Sequence, residues 1–336
     1  MKKAFGNKLF LTGFSFTSGL LLMSVLYFLI FQDKIPTSSL LLDNNEKPIQ
    51  PPYSWKVYPP MGTDNFGRNL AIVMLIGVKY TILAAAVITI LRVLPSIFIG
   101  FIIHFYLRKI ERPIKYIADS INYFPTTLLV FFLLGWFGTE TLGSYGESPL
   151  SFWELIFFYI FILTIVSIPA ISVLIANEAR LINQMDFIEC SRILGASSRR
   201  IIVKHILPTL TPQLFIIYIR EFIQTLILMA HLGVLGIFMG GYFVKRDLFD
   251  VARVVSNSSE WAGALGMWWN FLWTSYPWIS LVPIALLTLL IIAAKCMLDG
   301  LQAVLSSEEQ VVKVPEQEAV GQMDKLEPFQ LLKAKS

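Results

Sequence analysis

The sequence predicts an all-α protein that crosses a membrane several times, and three observations carry that expectation. Hydrophobic residues make up 55% of the 336 positions and charged residues 15%, where ordinary soluble domains hold about 25% charged. The mean hydropathy of +0.65 asks for a solvent less polar than water. Six stretches are nearly free of charge and long enough, at about 18 residues or more, to cross the hydrocarbon core as helices. Their apolar runs are continuous, without the period-2 alternation of a barrel strand.

The first span covers 9–31, behind Lys2, Lys3 and Lys8. It is longer than the apolar region of a secretory leader and ends in YFLIFQDK, with no small-residue cleavage site, so a retained helix is expected. Residues 32–70 follow as a proline-rich, polar segment. The second span, 80–107, holds Arg92 and a kink candidate at Pro95. The third covers 118–138, the fourth 152–176, the fifth 210–236, and the sixth 276–298 with Pro283 inside it. Between the last two lies the aromatic run EWAGALGMWWNFLWTSYPW, expected to lie in the membrane interface. The chain therefore divides into 1–31 (tail and first helix), 32–70 (an extracellular segment), 71–305 (a core with five helices and a cytosolic loop at 177–209) and 306–336. That last tail is polar and is expected to lack fixed structure.

Lys and Arg set the orientation. With both termini inside, the inner segments collect Lys2, Lys3, Lys8, Arg108, Lys109, Arg112 and Lys115, and then Arg180, Arg192, Arg199, Arg200 and Lys204. That is the bias the positive-inside rule describes. The segment 32–70 balances four cations against four anions, and all eight tryptophans fall at or beyond the outer ends of spans.

Several function classes are disfavoured. A net charge of +4 is too small and scattered for nucleic acid. Cys190 and Cys296 show no disulfide or metal spacing, and His104, His205 and His231 sit in no catalytic pattern. There is no GxxxxGK[ST] phosphate loop, so no catalytic residue, cofactor or metal is assigned.

One stretch breaks the apolar pattern: FIECSRILGASSRRIIVKHILPTLTP, residues 187–212. Leu181, Ile182, Met185, Ile188 and Ile193 recur at helical spacing. Gly195 then ends that helix, because glycine enters the left-handed conformation without a Cβ clash. Ser197 or Ser198 is placed to cap a second short helix that mixes Ile201, Ile202 and Ile206 with Arg199, Arg200 and Lys204. Pro208 is expected to stop it. A short amphipathic pair held between two membrane spans suits pushing on, or being pushed by, a soluble partner.

This segment resembles the cytosolic EAA loop of the permease subunits of ABC importers, an EAA followed by glycine and a terminal LP. Glu189-Cys190-Ser191 stand for EAA, with Gly195, Ala196, Arg199 and Arg200 after them and His205-Ile206-Leu207-Pro208 closing the motif. PMGTDNFGRNL at 60–70 is similar to the PLGTDxxGRD signature of the second permease of dipeptide, oligopeptide and nickel importers. Gly62, Thr63, Asp64, Gly67 and Arg68 carry the match, and Asn69 departs from it. PWISLVPIALLTLLIIAAKCMLDGLQAVL at 277–305 resembles the last helix of those subunits. The resemblance implies the type I importer permease fold with six helices, in the plasma membrane. It also implies partners: a second homologous permease, two ABC ATPases, an extracellular solute-binding protein and membrane lipid. The solute would be a peptide or similar small molecule, moved by coupling to the ATPases through the loop. A rival reading is a membrane sensor or scaffold that keeps the fold without transporting.

Plainer readings stand beside each motif. GTDNFGRN also reads as a tight turn with Thr63 or Asp64 capping the next helix. His205 reads as a helix-face residue near head groups, and both cysteines as packing residues. Within the spans, Arg92 and the pair Arg220-Glu221 lie roughly 15–18 Å from the span ends at 1.5 Å per residue. Ionised groups near the midplane normally pair or face a wet cavity, so Glu221 is expected to neutralise Arg92 or Arg220 and leave one cation for an anionic group.

Overall fold

The computed structural model describes residues 4–38, 41–42, 48–49, 51–105, 111–142, 150–246 and 252–323. It is mostly helical. In chain order the helices are α1 (Lys8–Phe31), α2 (Leu70–Phe105), α3 (Glu111–Tyr123), α4 (Thr126–Leu142), α5 (Phe152–Ile165) and α6 (Ile168–Asn183). Then come α7 (Asp186–Ile193), α8 (Ser198–Ile201), α9 (Leu207–Val234), α10 (Trp261–Trp268) and α11 (Trp278–Met323). Two antiparallel strand pairs interrupt this order, β1 (Leu41–Leu42) with β2 (Pro48–Ile49) and β3 (Tyr242–Arg246) with β4 (Ala252–Ser256). An all-α description is therefore too simple.

Four helices are long and apolar enough to cross a membrane: Lys8–Phe31, Leu70–Phe105, Ser198–Val234 and Trp278–Ser306. They take up the first, second, fifth and sixth expected spans. The fourth span is α5 and α6 together, bent by 41°. Pro169 sits at the start of α6 and has no amide proton for the carbonyl four residues back, so the ladder opens there. The Ser167 amide donates to Thr164 at 3.2 Å instead of to Leu163. The third expected span is not one helix. Pro125 disfavours helical geometry at Phe124 and splits it into the polar α3 and the short apolar part of α4, Thr126–Trp136.

Pro208 does not stop a helix either. α8 passes through a π turn at Ile202–Ile206 into α9, and the Leu207 amide bonds the Ile202 carbonyl five residues back. Helix α11 likewise runs on through 306–323, where an unstructured tail was expected, while 324–336 lie outside the described residues.

α2 is the centre of the bundle, packed on α6, α1, α9 and α5. After α1, Gln32 and Asp33 take left-handed φ of 52° and 57° and turn the chain back, so that the Asp33 carboxylate meets Lys79 of α2 at 2.6 Å. α9 and α10 cross at Gly233 and Gly266, where a Cβ on Gly266 would collide with the Gly233 carbonyl. That close approach seats Trp261 and Trp268, each 1% exposed, in the main core. Trp261 donates its ring N–H to the Met74 carbonyl at 2.7 Å. Part of the aromatic run is thus core rather than interfacial anchor, while Trp273 remains exposed.

Candidate functional site

Helices α7 and α8 form a hairpin between α6 and α9. Gly195, at φ +82°, closes α7: its amide donates to the Arg192 carbonyl at 3.0 Å and the Ala196 amide to the Ser191 carbonyl at 3.1 Å. Those two bonds are the Schellman pattern, which uses carbonyls that a helix end leaves unpaired. Ile188, Ile201 and Ile206 are buried and belong to one apolar cluster with Ile182, Ile171 and Val93. The hairpin is therefore fastened from behind to α2, α6 and α9. Its tip is bare: Ile193 is 80% exposed and Leu194 86%. Glu189, Cys190, Arg199, Arg200, Lys204 and Pro208 are exposed, and Ser191, Ala196, His205 and Leu207 are half-buried. Cys190 is thus not a packing residue. Arg192 ties α7 to α6 through Asn183 at 3.1 Å.

The loop ahead of α2 is of another kind. Asp64 is fully buried and its carboxylate accepts from the Phe66 amide at 2.9 Å, the Arg68 amide at 2.8 Å and Arg68 Nε at 2.6 Å. Thr63 Oγ1 accepts from the Tyr53 amide at 2.8 Å. Gly62 and Gly67 have φ of +79° and +72°, as the tight turn requires, and a Cβ on Gly62 would press on the Tyr53 carbonyl. The helix cap is neither Thr63 nor Asp64. Asn69 Oδ1 accepts from the Ile72 amide at 3.3 Å, and Asp64 is spent inside its own loop.

The charges in the spans meet around a cavity of about 390 Å³. Arg92 is 2% exposed and Glu221 15%, with Nη1 and Oε2 3.3 Å apart. Arg92 Nε donates to the Leu163 carbonyl at 2.9 Å, the one that lost its helical donor where α5 breaks. A cation at a helix C-terminus is favoured by the helix dipole, so Arg92 joins α2, α5 and α9. Among the described residues its Nη2 has no hydrogen-bond partner. Arg220, by contrast, is exposed. Thr126, Thr127, Ser167, Gln224 and His231 also line the cavity, and Thr127 Oγ1 lies 3.1 Å from His231 Nδ1. These five escaped the sequence reading, which left His231 without a role. One signal was available: Arg220, Gln224 and His231 are four and seven residues apart, one face of a helix.

Among the described residues, no group of three or more His, Cys, Asp or Glu side chains is placed to hold a metal ion.

A family model described as binding-protein-dependent transport system inner membrane component matches residues 74–308, more than half of the chain. A putative peptide transport system permease protein of Brucella suis is 27% identical over 198 residues, 57% of this chain and 62% of that protein. The chain thus matches less than two thirds of that relative's length. The dipeptide transport system permease protein DppC of Alkalihalophilus pseudofirmus is 22% identical over 299 residues, 89% of this chain and 86% of that protein. A solved structure described as inward-facing conformations of the MetNI methionine ABC transporter has a TM-score of 0.49 at 19% identity, covering 70% of this chain and 97% of that one.

Proposed function

The chain belongs to the family of binding-protein-dependent transport system inner membrane components, and on that premise we propose that it is a permease subunit importing peptides or similar small solutes. The hairpin is the observation that carries this reading. An apolar tip of Ile193 and Leu194 stands in solvent, and the cluster behind it reaches Val93, next to Arg92, and Ile171, in the cavity wall. Side chains so exposed suit a groove on a soluble partner, and packed residues transmit displacement because cores do not compress.

In this reading the hairpin faces the cytosol with both termini. Two ABC ATPases hydrolyse ATP and push on α7 and α8, a second homologous permease completes the path, and an extracellular binding protein delivers the solute. Closure of the ATPases shifts the population between inward-open and outward-open states. The chain itself is then no enzyme. The loop at 62–68 serves as a rigid outer edge.

The test is uptake of labelled peptides by cells with and without the gene, with co-purification of the ATPase. Equal uptake in both strains would leave the sensor or scaffold reading. Sidedness is tested by single cysteines after replacing Cys190 and Cys296. A cysteine at Ser198 should react with an impermeant thiol reagent only in opened cells, and one at Ser54 in intact cells.

A further inference from the structure

We infer that the cavity between the two chain breaks is a binding site for a carboxylate carried by the transported solute. The inference rests on the permease reading of the chain. Two helices begin at this cavity. Thr126 and Thr127 are the first residues of α4, and Ser167 is the N-cap of α6, without a side-chain cap hydrogen bond. The first amides of any helix have no intrahelical acceptor, and each N-terminus carries about half a positive charge. Arg92 enters the same wall from α2, buried, with Nη2 unpartnered.

Glu221 faces this space too and balances Arg92. Each break also presents a helix C-terminus, but the α5 end is already met by Arg92 Nε, and what stays open is the unpartnered Arg92 Nη2 with the first amides of α4 and α6. An anion is therefore favoured over a cation. The volume lies within the range of small-molecule sites, about 300–1,000 Å³. Arginine with neighbouring amides matches the flat, two-oxygen edge of a carboxylate. Gln224, Thr127 and His231 along the wall offer donors and acceptors to the amide groups that precede a peptide's C-terminus. Broken helices whose free ends meet a cavity within the bundle are where membrane carriers hold charged solutes.

The full-length chain in detergent is melted, followed by tryptophan fluorescence, with trialanine, trialanine amide, sodium phosphate or sodium chloride at matched ionic strength. Trialanine should raise the midpoint by about 3 °C; the amide, phosphate and chloride should not. Ser167→Asp keeps a good helix cap and places a carboxylate in the site, so it should fold and lose the trialanine response. Arg92→Gln should lose it as well, and if that variant fails to fold, Ser167→Asp decides. An equal rise with the amide, with phosphate or with chloride overturns the inference, as does an undiminished trialanine response in Ser167→Asp. Uptake is scored separately. A chain that imports trialanine yet melts identically with and without it keeps the permease reading and loses the site.

Discussion

The loop leading into α2 and the hairpin leading into α9 are made of similar material, short polar stretches with glycine, arginine and an acid. The structure spends them differently. In the loop every functional atom of Asp64 is consumed within ten residues, and the ring of Phe66 is flanked by Arg68 and by Lys245 of β3, each at 5.2 Å. In the hairpin the backbone is closed by Gly195 while the apolar side chains of Ile193 and Leu194 stand almost wholly exposed. A carboxylate spent on its own loop, as that of Asp64 is, has nothing left to offer a partner, whereas apolar groups left in water do.

Removing Asp64 should give the largest effect on stability. Asp64→Ala strips Arg68 of its buried partner and two amides of their acceptor, at about 3–5 kcal/mol. The melting midpoint in detergent should fall steeply; an unchanged midpoint would erase the contrast. Next comes Glu260, buried at the start of α10 near the same end of the bundle. It accepts from the Ser256 hydroxyl at 3.0 Å and the Met239 amide at 3.2 Å, and also from the Ser258 hydroxyl. Burial pushes its carboxyl from 4.5 up to about 7. Between those values the unfolded chain ionises while the folded one keeps its proton, so stability falls as pH rises and levels off above pH 7. The total is on the order of 3 kcal/mol. Melting across pH should show this slope, and Glu260→Gln should flatten it.

The hairpin should respond less in stability and more in activity. A Cβ at position 195 would meet no atom within 4 Å, so the main cost of Gly195→Leu is the left-handed strain of about 1–2 kcal/mol. The protein should insert normally and fail in peptide uptake, while Gly195→Asn should retain more. Leu194→Glu should leave stability within about 0.5 kcal/mol and abolish ATPase co-purification. Normal co-purification and uptake in both Gly195→Leu and Leu194→Glu would sink the coupling role.

Legibility followed the same division. Continuous apolar length was readable in α1, α2, α9 and α11, because hydropathy acts residue by residue. Gly195 was readable because its conformation is local. The break at Pro169 was not, since Pro95 and Pro212 sit inside helices that continue and only the neighbours decide. Strands β3 and β4 lie between the fifth span and the aromatic run, where no strand was expected, although YFVKR and ARVVS are rich in aromatic and β-branched residues. The cavity was least readable of all. Its walls come from α2, two chain breaks and α9, and no single window of sequence contains them.

The π turn at Ile202–Ile206 has a consequence for length variation. It lets Ile201 and Ile206, five residues apart, both reach the cluster behind the hairpin. In a plain α-helix five residues would turn the two about 140° apart, at 3.6 residues per turn. A single-residue deletion among 202–205 would therefore relax the widened turn to an ordinary one and keep both isoleucines inward. An insertion at the same place would throw one of them outward. This helix is asymmetric toward indels: it holds one residue more than it needs.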